Sequence, residues 1–214
     1  MKQMKKITLV GSPGAGKSTL AIKLGKKLNI EVIHLDRYFW IGGWQTSSKE
    51  DWEAFQRHLL GLDQWIIDGT YLSTSELRLA AANTIIFLDR SPFLCLWRVI
   101  KRHYWRVITR HLKNAKHLQP DFPESCRDRL NFQYMKKVFW TFPRQDRQDL
   151  LNKIQAIQEQ RLGGTEKLIT LRSSREIKNF LQNPAEQASR EQEQPSPIQQ
   201  PITTESALEQ LSLA

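Results

Sequence analysis

The chain has 214 residues, 40% of them hydrophobic and 25% charged, with a formal net charge of +10. That length and composition suit one well-buried globular domain, and the excess of base calls for an anionic partner. Two cysteines, Cys95 and Cys126, are too few for a disulfide scaffold and lack metal-ligand spacing, so they read as reduced thiols in a cytosol. The apolar run after the basic Met1–Lys6 is too short for a signal peptide, and no later run approaches the ~20 residues of a membrane span.

In chain order, the first expected strand is Lys5–Val10, which runs into Gly11-Ser12-Pro13-Gly14-Ala15-Gly16-Lys17-Ser18-Thr19. A helix is expected next, over Lys17–Leu28, with Leu20, Ala21, Leu24 and Leu28 on one face. Strand, GxxxxGK[ST] loop and helix together form the context of a phosphate-binding loop. Gly11, Gly14 and Gly16 let backbone N–H groups, Ala15's among them, converge on phosphate oxygens, and the helix N-terminus adds donors and its positive dipole end. Lys17 can reach the β/γ oxygens, Ser18 can take a position on Mg²⁺, and Thr19 completes the motif. The expected ligand is therefore a nucleoside triphosphate with Mg²⁺.

The second strand is expected over Glu31–Leu35 and runs into Asp36-Arg37-Tyr38. Asp36 at its end reads equally as a turn cap or as a carboxylate that orients a substrate hydroxyl, accepts its proton or holds Mg²⁺ through water. His34 reads as a packed histidine. Tyr38, Trp40, Trp44 and Trp52 cluster around Gly42-Gly43; packing against a helix starting near Lys49 is preferred over stacking of a planar substrate or a mobile flap. A third strand, Trp65–Asp68, ends in Asp68-Gly69, where a carboxylate opposite the phosphate loop is the usual partner of Mg²⁺-bound water. A fourth, Thr84–Leu88, ends in Asp89-Arg90, for which a local ion pair is the simplest reading.

From Arg90 to Lys116 the chain carries Arg90, Arg98, Lys101, Arg102, Arg106, Arg110, Lys113 and Lys116 and no acid. A helix over Pro92–Leu112 places Arg98, Arg102, Arg106 and Arg110 at every fourth position, with Trp97, Ile100, Tyr104, Val107 and Ile108 as its packing face. Three like-charge i,i+4 pairs cost on the order of 1 kcal/mol unless an anion lies along them. A polyphosphate clamp fits, because the arginine fork pairs with phosphate oxygens bidentately. Arg127, Arg129, Lys136 and Lys137 lie on an expected helix over Glu124–Phe139; Arg144–Gln160, strand Lys167–Leu171 and Ser173–Leu181 follow. The alternation predicts an α/β fold: a five-stranded parallel sheet with helices on both faces and ligands at the strand C-termini. Residues 1–183 form the expected domain, with a basic lid region at about 90–140. From Pro184 to Ala214 the chain is rich in Gln, Glu, Pro and Ser and reads as a disordered tail carrying −4, which leaves +14 on the domain.

The loop GSPGAGKST, then HLDRYFW and GGW, WIIDGTY, and RLAAANTIIFLDRSPFLCLWRVIKR resemble the small P-loop proteins named DNA topology modulation proteins, which are similar in turn to adenylate kinases and shikimate-type kinases. The resemblance covers roughly Met4 to Leu181. It implies a nucleoside-monophosphate-kinase-like fold, strand order 2-3-1-4-5 and an arginine-bearing lid after the fourth strand. It also implies that Arg98 and Arg102 are the two lid arginines that hold ATP phosphates, and that Asp68-Gly69 is the strand-end Asp-Gly of adenylate kinases. Those enzymes continue with an aromatic residue, Pro and a substrate-binding Arg, whereas Thr70-Tyr71-Leu72 stands here, so AMP is not the implied acceptor. Three readings follow: a cytosolic Mg²⁺·ATP-dependent kinase of a nucleotide or small acceptor, an ATP-switched nucleic-acid-binding protein, and a slow ATPase. The kinase stands first, because no nucleic-acid-binding motif of defined geometry is present and +14 implies only weak, unspecific nucleic-acid binding.

Overall fold

Short apolar strands with little charge are covered on both faces, and they build the centre of this protein. The computed structural model describes residues 4–41, 45–46, 48–111, 132–160 and 167–184. Strand β1 (Lys6–Gly11) lies in the middle of a five-stranded parallel sheet, with β2 (Val32–His34) and β5 (Trp65–Asp68) on one side and β6 (Thr84–Leu88) and β7 (Lys167–Leu171) on the other. The order is β2-β5-β1-β6-β7, which is 2-3-1-4-5 once the separate two-stranded hairpin β3 (Trp40–Ile41) and β4 (Gln45–Thr46) is set aside. Register is tight: Leu9 sits opposite Asp68 on one side and Ile86 on the other.

Each face has its own core. Helices α1 (Lys17–Leu28), α5 (Pro92–His111) and α8 (Ser174–Gln182) cover one, with Leu20, Leu24, Val99 and Phe180 packed on Ile7, Leu9 and Ile86. Helices α3 (Lys49–Leu60), α4 (Ser75–Ala81) and α7 (Arg147–Gln160) cover the other, where Trp52, Leu79, Leu150 and Ile154 meet Trp65, Ile67 and Phe87. Ser48 caps α3 by accepting from Asp51 N–H, and Ser173 caps α8 in the same way from Glu176.

Several elements depart from the expected ones. The second strand stops at His34, and Asp36 instead begins a one-turn helix α2 (Asp36–Phe39). Helix α4, which follows a 3₁₀ turn at Leu72–Thr74, was not expected at all. The segment expected as helix over Glu124–Phe139 is α6 (Phe132–Lys136), and residues 124–131 lie outside the described ones. It continues as π-helix over Lys137–Asp146. Pro143 lies inside that stretch, lacks an N–H and crowds the carbonyl one turn back, which suits the wider turn. The guanidinium of Arg144 lies 3.5 Å over the Trp140 ring. The second cysteine, Arg106, Arg110, Lys113, Lys116, Arg127, Arg129, Gly42-Gly43 with Trp44, and nearly all of the expected tail also fall outside what is described, the two arginines of α5 in their side chains.

The expected packing face of α5 is also corrected. Trp97 and Tyr104 are 60% and 67% exposed, Ile108 is exposed, and the buried seam is Cys95 and Val99. Helix and phosphate loop approach too closely there for aromatics: a Cβ placed on Gly14 would lie 2.4 Å from the Cys95 carbonyl oxygen. Burial pushes the Cys95 thiol up, so it acts as a small packing residue rather than a reactive one.

Candidate active site

The loop between β1 and α1 wraps its own lysine. Gly14 (φ 81°) and Gly16 (φ 104°) hold left-handed backbone, and a Cβ on Gly16 would meet only Arg98 Nη1, at 3.6 Å. Space on that side is open, as a cradle for phosphate needs. Lys17 Nζ donates to the carbonyls of Gly11 and Ser12, each at 3.0 Å. The ammonium is enclosed although the stem is half-exposed. Burial lowers its pKa from the usual lysine value, an effect opposed by the Asp68 and Asp36 carboxylates and by Cys95, and reinforced by Arg102. Ser18 and Thr19, at the start of α1, are exposed.

Both carboxylates stand on one flank of the loop, Asp68 closing β5 and Asp36 opening α2 just beyond β2. Asp68 is 5% exposed; His34 Nδ1 lies 3.0 Å from its Oδ2, while its Oδ1 is buried without a protein partner. Such an orphaned oxygen fits a water of a hydrated Mg²⁺, with Ser18 supplying a hydroxyl beyond the lysine, so the residues present suit Mg²⁺·ATP. His34 is thus a partner of Asp68, not only a packed side chain. Asp36 is exposed and accepts the Tyr71 hydroxyl at 2.6 Å. Behind it Phe39, Trp52 and Tyr71 pack ring to ring, with centroids 4.6 Å apart for Phe39 and Tyr71 and 5.3 Å for Trp52 and Tyr71.

Arg98, on α5, donates through Nη1 to the Ala15 carbonyl at 3.1 Å, which brings its guanidinium against the loop. Arg102, one turn on, is exposed. The expected Asp89–Arg90 ion pair does not form. Neighbouring residues leaving a strand point to opposite sides, and Asp89 instead takes Arg147 through Nε and Nη2, each at 2.9 Å, with Arg172 Nε at 3.5 Å. Burial alone would raise the Asp89 pKa, but the two guanidiniums, Arg147 foremost, hold it below the usual carboxylate value. Arg90 turns away to the Arg172 carbonyl and Ser174. A cleft of about 320 Å³ beside Ser12 is lined by Asp89, Arg147 and Phe142. A hollow of about 380 Å³ at the C-terminal end of α1 is remote from this chemistry.

Sequence reasoning missed Arg78 and Thr70. Arg78 is 1% exposed and makes no ion pair among the described residues. Its Nη1 reaches Gln56 and Thr74, and its Nη2 donates to the carbonyls of Gly69, Thr70 and Tyr71 at 3.3, 2.7 and 3.5 Å. Burial pushes its pKa down to about 10. Thr70 in turn bridges to Gly11 of the loop. No sequence signal distinguishes a buried arginine from the exposed ones around it.

A parallel sheet in the order 2-3-1-4-5, with a glycine-rich loop after its central strand, defines the fold of the small P-loop kinases. It is similar to a solved shikimate kinase from Acinetobacter baumannii in complex with shikimate, at 17% identity over 88% of this chain and 95% of that one, with a TM-score of 0.51. Weaker likenesses are to a gluconokinase from Sinorhizobium meliloti 1021 (13% identity, 89% and 99% covered, TM-score 0.43) and a deoxyadenosine kinase from M. mycoides with bound dCTP (13%, 85% and 98%, 0.41). No family model matches the sequence, and no curated protein matches it. At such identities likeness fixes the fold and leaves the chemistry to the residues.

Proposed function

We propose that this chain is a Mg²⁺·ATP-dependent phosphotransferase that acts on a small hydroxyl-bearing acceptor. The observation that carries the reading is a lysine folded against its own glycine-rich loop, beside a strand-end Asp68 that keeps a buried oxygen unpartnered. In this reading Gly11, Gly14, Ala15, Gly16, Lys17, Ser18 and Thr19 hold the triphosphate, and Ser18 and a water on Asp68 Oδ1 hold Mg²⁺. Bound Mg²⁺ supplies charge neutralisation across the phosphate oxygens. Asp36 takes the proton of the acceptor hydroxyl, Tyr71 fixing one of its oxygens. The acceptor oxygen then forms its bond to the γ-phosphorus as the bond to the β,γ-bridging oxygen breaks, and ADP leaves. Arg98 and Arg102 counter the charge on the moving phosphoryl group. The similar fold of a shikimate kinase in complex with shikimate supports a small acceptor.

The basic domain and the resemblance to DNA topology modulation proteins favour a second reading, a nucleic-acid-binding protein switched by ATP. A slow ATPase is the third. Transfer of labelled γ-phosphate from ATP across a panel of small hydroxyl and phosphate acceptors tests the first: transfer to one of them is expected. Release of inorganic phosphate alone would favour the ATPase. Binding of a duplex with a log–log salt slope of several units, and no transfer, would favour the nucleic-acid reading.

A further inference from the structure

Lys17 cannot serve a phosphate while it is bonded to its own loop. To turn outward it gives up two carbonyls, those of Gly11 and Ser12. Both lie in buried residues, and a buried carbonyl left without a donor is costly. The Ser12 carbonyl has a second donor within the loop, the Ala15 N–H at 3.1 Å. The Gly11 carbonyl has its second donor from outside, the Thr70 hydroxyl at 2.7 Å. The same hydroxyl accepts the Gly11 N–H at 3.1 Å, so both polar groups of that peptide residue stay satisfied when the lysine departs.

We propose that Thr70, held in place by Arg78, is the positioning residue that lets Lys17 leave its loop for phosphate. Arg78 fixes Thr70 from behind, donating to its carbonyl at 2.7 Å and to those of Gly69 and Tyr71 on either side. Its other nitrogen is anchored on Gln56 and Thr74, and Gln56 and Trp52 also donate to the Thr74 hydroxyl. The turn so held is not a relaxed one, since Tyr71 has φ 27° without being glycine. A buried cation spent on neutral backbone, amide and hydroxyl oxygens is costly to place, and the residue it secures, Thr70, bonds directly to Gly11 of the phosphate loop. The inference rests on reading Gly11–Thr19 as a phosphate loop.

The test uses the full chain, Mg²⁺ and a radiolabelled non-hydrolysable ATP analogue in equilibrium dialysis, with thermal midpoints as a check on folding. Thr70→Val leaves the Gly11 carbonyl to Lys17 in the free protein and to nothing in the complex. Affinity is expected to fall about tenfold, the worth of one unpaired buried carbonyl, while Thr70→Ser stays within about twofold of wild type. In a Lys17→Ala background no lysine leaves Gly11, so Thr70→Val is expected to add nothing there, whereas a general loosening of the loop would persist. Arg78→Lys keeps a charge but cannot span both sets of partners; it is expected to weaken binding and to add nothing to Thr70→Val. Wild-type affinity in Thr70→Val, or an undiminished effect of Thr70→Val in the Lys17→Ala background, overturns the inference while leaving the phosphate loop intact. Wild-type affinity in Lys17→Ala overturns the loop reading and the inference with it. If Arg78→Lys fails to unfold cooperatively, the Thr70 and Lys17 variants decide alone.

Discussion

Two strand-end aspartates flank the phosphate loop, and they have opposite fates. Asp68, at the end of β5, meets one histidine and keeps Oδ1 buried without a partner. Asp89, at the end of β6, is gripped by Arg147 and approached by Arg172. Each closes an apolar strand, and in sequence only the following residue, Gly69 or Arg90, sets them apart. The difference comes from what distant segments bring: α7 and the end of β7 deliver two guanidiniums to one, and β2 delivers an imidazole to the other. A carboxylate with an idle oxygen is available for chemistry, and one saturated by cations holds elements together. In the proposed mechanism the acceptor flank is the Asp36–Asp68 side.

The largest expected effect on nucleotide binding falls on the residue between the two flanks. Lys17→Ala removes the cation proposed to meet phosphate, and affinity for an ATP analogue should drop well beyond tenfold, which is about 1.4 kcal/mol. Titration calorimetry checks it, and unchanged affinity would break the phosphate-loop assignment for both flanks at once. Next is Asp36→Ala, which should reduce phosphoryl transfer to the acceptor roughly a hundredfold while leaving ATP affinity within about twofold. Equal losses in transfer and ATP affinity would mean that Asp36 serves the nucleotide and not the acceptor.

Asp89→Asn should act on stability. It leaves Arg147 and Arg172 without their carboxylate, and for a partly exposed pair the cost is about 1–2 kcal/mol, or a thermal midpoint lowered by roughly 3–6 °C. Differential scanning calorimetry of the two proteins checks it; an unchanged midpoint would remove the contrast with Asp68.

A smaller effect should appear with pH. Asp89 is held below its unfolded value, so its contribution is fully present above about pH 4 and is lost as pH falls through the folded value. Wild type should therefore lose more stability on acidification than Asp89→Asn does. Parallel acid limbs would show that the pair adds nothing.

The sheet was legible because each strand announces itself locally. Ile7–Val10, Trp65–Ile67 and Thr84–Leu88 are mostly apolar runs uninterrupted by charge, and the glycines and lysine of the loop have fixed spacing. Helix α4 was not legible, because its buried positions are Ser75, Arg78 and Leu79, which break the apolar period with a charge and a hydroxyl. The packing of α5 was misread for a related reason. Its aromatics look like core, but close approach to Gly14 selects Cys95 and Val99. Around the loop, motif spacing points to Lys17, strand ends to Asp36 and Asp68, and the basic stripe with the family resemblance to Arg98, whereas the partners of Asp89 come from residues 58 and 83 positions further along the chain, which no local pattern reports.

The most direct test of the contrast is turnover of labelled γ-phosphate by Asp68→Asn and Asp89→Asn, measured side by side at a temperature where both are folded. The account predicts a loss of roughly a hundredfold, about 2.7 kcal/mol, for Asp68→Asn and less than about threefold for Asp89→Asn. The reverse ranking, with Asp68→Asn active and Asp89→Asn inactive, would contradict it and move the chemistry to the β6–β7 flank.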